Sequence, residues 1–209
     1  VGDTNWLMFD MGKKVKSGAD FDHDGGADIV LRNETTGENV VWYMDGTSRT
    51  SEVALEAQAD PNLKIAGTGD FNGDGRVDLL WRDATTGQSL VWYMDGTSHT
   101  GGGAMDSVTD LSWTVAGVGD FNGDAKIDLL WRNTTTGENY VWLMNGTVYM
   151  GGVLLKAEAD LDWTIAGLGD LDQDGKFDIV WRNAATGDNR VWLMNGTTYL
   201  GETALEPVA

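Results

Sequence analysis

The chain has 209 residues, with 33 Asp and Glu against 14 Lys and Arg, a formal net charge of -19, no cysteine and 29 glycines. The lack of cysteine excludes disulfides, thiolate metal sites and cysteine nucleophiles, and His23 and His99 alone are too few for a three-histidine metal site. So negative a chain repels nucleic acid and anionic lipid, carries no apolar run long enough for membrane insertion, and favours cations as partners.

A 50-residue internal repeat organises everything after residue 9. Asp20, Asp70, Asp120 and Asp170 stand in register, as do Arg32, Arg82, Arg132 and Arg182, Gly37, Gly87, Gly137 and Gly187, and Trp42, Trp92, Trp142 and Trp192. Four units follow, 10–59, 60–109, 110–159 and 160–209. Residues 1–9 share almost nothing with the repeat, and are expected to form an N-terminal tail or to cover a sheet edge with Trp6 and Phe9.

Within a unit the first expected strand is built of small residues, as in Ile65-Ala66-Gly67-Thr68-Gly69, and small side chains suit a crowded centre. An acidic loop follows, and then a second strand at 27–32, 77–82, 127–132 and 177–182. The faces of that strand read Val77, Leu79, Trp81 and Asp78, Leu80, Arg82, apolar in the middle on both sides, as expected of a strand covered by neighbouring sheets. A turn such as 133–137 leads to a third strand, Tyr140-Val141-Trp142-Leu143-Met144 in the third unit. This strand ends at Asp-Gly or Asn-Gly, the strongest short-range signal for a hairpin into a fourth strand such as 97–104. Four short strands in about 50 residues, repeated, is the arithmetic of an all-β fold, a β-propeller of four blades with four antiparallel strands each. A closed four-bladed ring is expected, with self-association into a larger ring as the alternative.

The chemistry lies in the acidic loop. Its copies place oxygen-bearing side chains at loop positions 1, 3, 5 and 9: Asp20, Asp22, Asp24 and Asp28; Asp70, Asn72, Asp74 and Asp78; Asp120, Asn122, Asp124 and Asp128; Asp170, Asp172, Asp174 and Asp178. Calcium takes six to eight oxygens at about 2.3 to 2.6 Å, and alternate residues of a curled loop converge on one point. A backbone carbonyl at position 7 would complete the set, which explains why Gly26, Arg76, Lys126 and Lys176 can interchange there. Up to four Ca2+ ions, one per blade, are expected. The start resembles an EF-hand loop, but position 12 holds Leu31, Trp81, Trp131 or Trp181 where that loop needs a bidentate glutamate. The plainer reading is that Asp and Asn are turn formers bonding their own backbone.

With Gly-Asp-Phe-Asn-Gly-Asp-Gly, Trp81-Arg82 and Val-Trp-Tyr-Met-Asp-Gly, the unit resembles the FG-GAP or VCBS-type repeat, and its loop is similar to the calcium hairpins of integrin α-subunit propellers. The resemblance spans 10–209. It implies a β-propeller with structural calcium between the first and second strands of each blade, in exported or cell-surface proteins, some of them lectins. In the third loop Ala125 replaces the glycine found at Gly25, Gly75 and Gly175, at a position where related loops turn left-handed.

Three other groups invite a function. The repeated arginines lie four residues beyond Asp28 and its copies, roughly 13 Å along an extended strand, too far for the calcium loop. They are read as blade-to-blade contacts to carbonyls or carboxylates, or alternatively as a sugar- or carboxylate-binding rim. The tryptophans at repeat positions are read as core. Trp113 and Trp163 near the inner strand, with Tyr149 and Tyr199, occur only in the last two units and are the candidates for carbohydrate binding. His23 and His99 are read as exposed spacers, and no nucleophile or phosphate-loop motif is present, so no enzymatic activity is expected. The function expected is that of a calcium-binding extracellular or cell-surface recognition module for a glycan or a cell-surface protein. The alternatives are a purely structural propeller whose calcium stabilises the fold, and a fragment of a polysaccharide-active enzyme.

Overall fold

A computed structural model describes the backbone of residues 6–9 and residues 19–205 in full. The described chain is all β. Strands β1 (Trp6–Phe9), β2 (Ile29–Asn33), β3 (Asn39–Asp45) and β4 (Ser48–Leu55) form the first sheet. Strands β5 (Leu63–Gly69), β6 (Asp78–Asp83), β7 (Ser89–Asp95) and β8 (Ser98–Ala104) form the second. The third holds β9 (Trp113–Gly119), β10 (Asp128–Asn133), β11 (Asn139–Asn145) and β12 (Val148–Leu154), and the fourth β13 (Trp163–Gly169), β14 (Asp178–Asn183), β15 (Asn189–Asn195) and β16 (Thr198–Leu205). Each is a four-stranded meander in chain order, which is the blade architecture of a β-propeller.

The chain divides into two compact units, residues 1–111 with 146–148, and residues 112–145 with 149–209. The core of the first is built on Phe21, Val30, Val41, Ile65, Leu79, Trp81, Trp92 and Met94. The core of the second repeats that choice with Phe121, Leu130, Val141, Ile179, Trp181, Trp192 and Met194. The same repeat positions recur in both lists because a sheet buried on both faces needs apolar residues on both sides of its middle strands.

The hairpin into each outer strand turns at Gly46, Gly96, Gly146 and Gly196, with φ between 57° and 62°, the left-handed backbone that the Asp-Gly and Asn-Gly signals require. The small residues of the inner strands admit close neighbours. A Cβ on Gly119 would lie 2.4 Å from the Phe177 ring, so only glycine lets that ring approach.

In the first sheet, residues 6–9 pair antiparallel with β2, Trp6 opposite Asn33 and Phe9 opposite Val30. In the second sheet that place belongs to Leu63–Gly69, which runs directly into its acidic loop. Residues 1–9 were expected as a tail or an edge cover, and part of them sits in the inner-strand place, where it satisfies the free backbone groups of β2. The first unit's own copy of the small-residue strand, at 15–19, lies outside the described residues except for Ala19.

Candidate metal centre

In the second, third and fourth sheets the acidic loop runs from the end of the inner strand to the second strand, so its first and last carboxylates are fixed by the sheet, and the first loop ends on the second strand in the same way. The position-9 aspartates are buried, and both carboxylate oxygens accept backbone N–H groups. Asp128 Oδ2 accepts from Phe121 at 3.0 Å and Oδ1 from Met144 at 2.9 Å. Asp28, Asp78 and Asp178 make the same pair of bonds to Phe21 and Met44, Phe71 and Met94, and Leu171 and Met194. The residue therefore staples the loop to the end of the third strand. Burial pushes the Asp78 and Asp128 carboxyls up to about 6, against the pull of those N–H donors, and pushes Asp28 up as well.

Positions 1, 3 and 5 divide the loops into two kinds. In the first, Asp20, Asp22 and Asp28 bring carboxylate oxygens within 4.8 Å of one another, and in the fourth Asp170, Asp172 and Asp174 do the same. Asp20 Oδ1 and Asp170 Oδ1 are buried and accept no hydrogen bond. A buried carboxylate oxygen with no donor, among other carboxylates, fits a divalent cation bound by oxygen ligands.

In the second and third loops asparagine stands at position 3 and donates to the position-5 aspartate. Asn72 Nδ2 donates to Asp74 Oδ2 at 3.1 Å, and Asn122 Nδ2 to Asp124 Oδ2 at 3.2 Å. Asp70 and Asp120 are wrapped by backbone: Asp70 Oδ1 accepts from Gly73 at 2.7 Å and Asp74 at 3.0 Å, and Oδ2 from Gly75 at 2.8 Å. Asp120 is held likewise by Gly123, Asp124 and Ala125. These two loops realise the plainer reading of aspartate as a turn former. The four loops, read from sequence as one kind of site, separate according to whether the backbone N–H groups of positions 4 and 5 reach Oδ1 of the position-1 aspartate.

At position 7 the backbone N–H of Gly26, Arg76, Lys126 and Lys176 donates to the position-5 aspartate at 2.7 to 2.9 Å. The Arg76 guanidinium turns away to Asp95, 2.7 Å distant, while the Lys176 ammonium lies 3.2 Å from where a Cβ on Gly123 would stand, beside the third loop.

Left-handed backbone occurs at positions 4 and 6 of every loop. Ala125 has φ 64°, as its place among glycines implied, but His23 (φ 62°) and Gln173 (φ 66°) share that strain at position 4, where Gly73 and Gly123 stand in the other loops. The signal for position 4 was the Gly/His/Gln variation itself.

Arg32 and Arg132 each join one sheet to the next. Arg32 donates to Gly37 O, Asn39 Oδ1, Gln58 O and Asp60 O, and its guanidinium carbon lies 5.0 Å from the centre of the Trp81 ring. Arg132 repeats this with Gly137 O, Asn139 Oδ1, Glu158 O and Trp163 O. Arg182 is exposed and donates to Asn189 Oδ1.

The carbohydrate candidates are engaged internally. The Arg190 guanidinium covers Trp163, 4.1 Å from the ring centre, and pairs with Glu158. The Lys156 ammonium lies 4.1 Å from the Tyr199 ring centre, and Tyr199 stands edge-on to Trp192. Tyr149 packs on Trp142 at 4.8 Å, and half-buried Trp113 opens β9 opposite Asn133. Tyr149 and Tyr199 fill a place that every repeat uses, because Arg49 covers Trp42 and His99 stacks on Trp92 in the same way. His99 is thus no spacer. Its Nδ1 lies 3.1 Å from Glu56 Oε2 and its Nε2 2.8 Å from Gly101 O.

The FG-GAP-like repeat family matches residues 20–81, 70–131 and 120–181, each match running from the acidic loop of one unit to the Trp-Arg strand of the next. The chain belongs to the FG-GAP-like repeat family. No curated protein matches it. A solved structure of the Photorhabdus luminescens Tc holotoxin pore matches 96% of this chain at 13% identity, with a TM-score of 0.42, and the chain spans 12% of the length of that one. Within this FG-GAP-like chain, the acidic loop and the arginine four residues beyond its last aspartate are two features each repeat carries.

Proposed function

We propose that the chain is an extracellular, calcium-stabilised β-propeller module that recognises a cell-surface partner. The observation that carries the metal reading is the pair of all-aspartate loops, with Asp20 Oδ1 and Asp170 Oδ1 buried and undonated. Asp20, Asp22, Asp24 and Asp28, and Asp170, Asp172, Asp174 and Asp178, would hold the tighter ions, and the asparagine-bearing loops weaker ones. A bound calcium ion supplies charge neutralisation and cross-linking of the loop, not chemistry.

FG-GAP repeats are typical of extracellular proteins, which supports the location, and no helix among the described residues is long and apolar enough to cross a membrane. The role is one of binding, with the acidic groups committed to loop architecture. A protein surface is favoured over a glycan as the partner, because Trp163, Tyr199 and Tyr149 spend ring faces on Arg190, Lys156 and Trp142. The test is binding of the labelled protein to intact cells in calcium, in chelator, and after protease or glycosidase treatment of the cells. Binding lost in chelator and after protease is expected. Binding indifferent to chelator, or lost only after glycosidase, contradicts the reading.

A further inference from the structure

Asn-Gly occurs four times in the chain, at 72–73, 122–123, 145–146 and 195–196. The first two pairs stand in acidic loops, the last two at hairpins into outer strands. In such a pair the backbone nitrogen of the glycine, once it loses its proton, can attack Cγ of the asparagine side chain. The new C–N bond closes a five-membered imide, and the side-chain nitrogen leaves as ammonia. Water then opens the imide at either carbonyl, so aspartate or isoaspartate replaces asparagine with nothing oxidised or reduced. Glycine favours the reaction because it places no side chain in the path of the attack.

All four asparagines are exposed, so access of water does not separate them. Hydrogen bonding does. The Gly73 N–H donates to Asp70 Oδ1 at 2.7 Å and the Gly123 N–H to Asp120 Oδ1 at 2.6 Å, so each attacking nitrogen is held by a carboxylate that opposes loss of its proton. The group to be attacked is held as well. Asn72 Oδ1 accepts from the Asp74 N–H at 2.9 Å while its Nδ2 donates to Asp74 Oδ2, and Asn122 is tied to Asp124 in the same way. At 145–146 and 195–196 no hydrogen bond among the described residues engages the asparagine side chain or the glycine N–H.

We propose that Asn145 and Asn195 are modification sites that deamidate without an enzyme, and that the acidic loops protect Asn72 and Asn122 from the same reaction. The fold accepts the aspartate product, since the first two repeats carry Asp45 and Asp95 at that place. Asp95 there pairs with Arg76 of its own sheet's loop at 2.7 Å, and the third and fourth loops carry Lys126 and Lys176 at the position of Arg76. The turn also fixes the glycine that makes the pair reactive. Gly196 has φ 62°, and a Cβ on it would lie 2.8 Å from the Phe121 carbonyl oxygen. Isoaspartate is the disruptive product, because its extra backbone carbon falls where Asn195 faces Thr198 at the base of the hairpin.

The test is peptide mapping by mass spectrometry of the full chain incubated in chelator at mildly alkaline pH, beside a sample unfolded in urea. In the folded chain, conversion at Asn145 and Asn195 should run about tenfold or more faster than at Asn72 and Asn122, the ratio set by one charge-assisted hydrogen bond broken on the way to the transition state. In urea the four rates should come together, because the dipeptide is the same at each site. Equal rates in the folded chain, Asn145 and Asn195 left intact, or a difference that persists in urea overturns the proposal. Chelator keeps the result independent of calcium binding, so either proposal can fail alone.

Discussion

The guanidinium carbon of Arg132 lies 4.9 Å from the ring centre of Trp181, which belongs to the following sheet. Trp181 in turn packs at 4.6 Å against Trp192. The arginine thus works as a clamp between successive repeats, with its planar fork spread over three backbone carbonyls and one amide oxygen.

Removing that clamp should be costly where it is closed and nearly free where it is open. Arg132→Ala strands buried acceptors and is expected to cost about 3 kcal/mol in urea denaturation. Arg182→Ala, at the exposed equivalent, should cost about 0.5 kcal/mol or less. Arg132→Lys should recover little, because an ammonium cannot span the fork. Equal losses at Arg132 and Arg182 would contradict the clamp.

Strain in the loops gives a second expectation. His23, Ala125 and Gln173 occupy left-handed backbone at the cost of about 1 kcal/mol each relative to glycine. His23→Gly, Ala125→Gly and Gln173→Gly should each raise stability by about that amount, while Gly73→Ala lowers it. For Ala125→Gly, calorimetric titration should also show the third loop's calcium affinity rising by about fivefold to tenfold. An unchanged urea midpoint in all three glycine variants would show that the strain is relieved elsewhere.

Much of this was legible in the sequence. The 50-residue register fixed four units, the Asp-Gly and Asn-Gly pairs located every outer hairpin, and the distance from Asp78 to Arg82 separated the arginines from the loops. The difference between loops was harder to read, because it lies in whether the position-4 backbone N–H reaches the position-1 carboxylate, which no side-chain type reports. The stacking places on Trp42, Trp92, Trp142 and Trp192 were hidden because Arg49, His99, Tyr149 and Tyr199 span three residue types that share only a flat face. The use of residues 6–9 as a strand left no periodic trace, since backbone pairing with β2 makes no demand on repeat register.

The buried staples set a pH dependence. Asp78 and Asp128, raised to about 6 from an ordinary 3.8, bind protons more tightly folded than unfolded. Their contribution is fully present below about 4 and is lost as pH rises through about 6. Asp83, held low by hydrogen bonds from Thr85, titrates beneath that window. Metal-free protein should therefore have a higher urea midpoint at pH 5 than at pH 7. With calcium the order should reverse, because protons compete with the ion for the loop. A metal-free protein that is more stable at pH 7 would refute the burial argument.

The account rests on calcium holding the loops, and differential scanning calorimetry in calcium and in chelator tests it most directly. Two ions bound at about a hundredfold excess over their dissociation constants add about 5 kcal/mol, a rise of about 10 to 20 °C for a chain of this length. The rise should largely disappear in Asp20→Asn, Asp170→Asn, and persist in Asp70→Asn, Asp120→Asn. Superimposable melting curves in calcium and chelator would contradict the account.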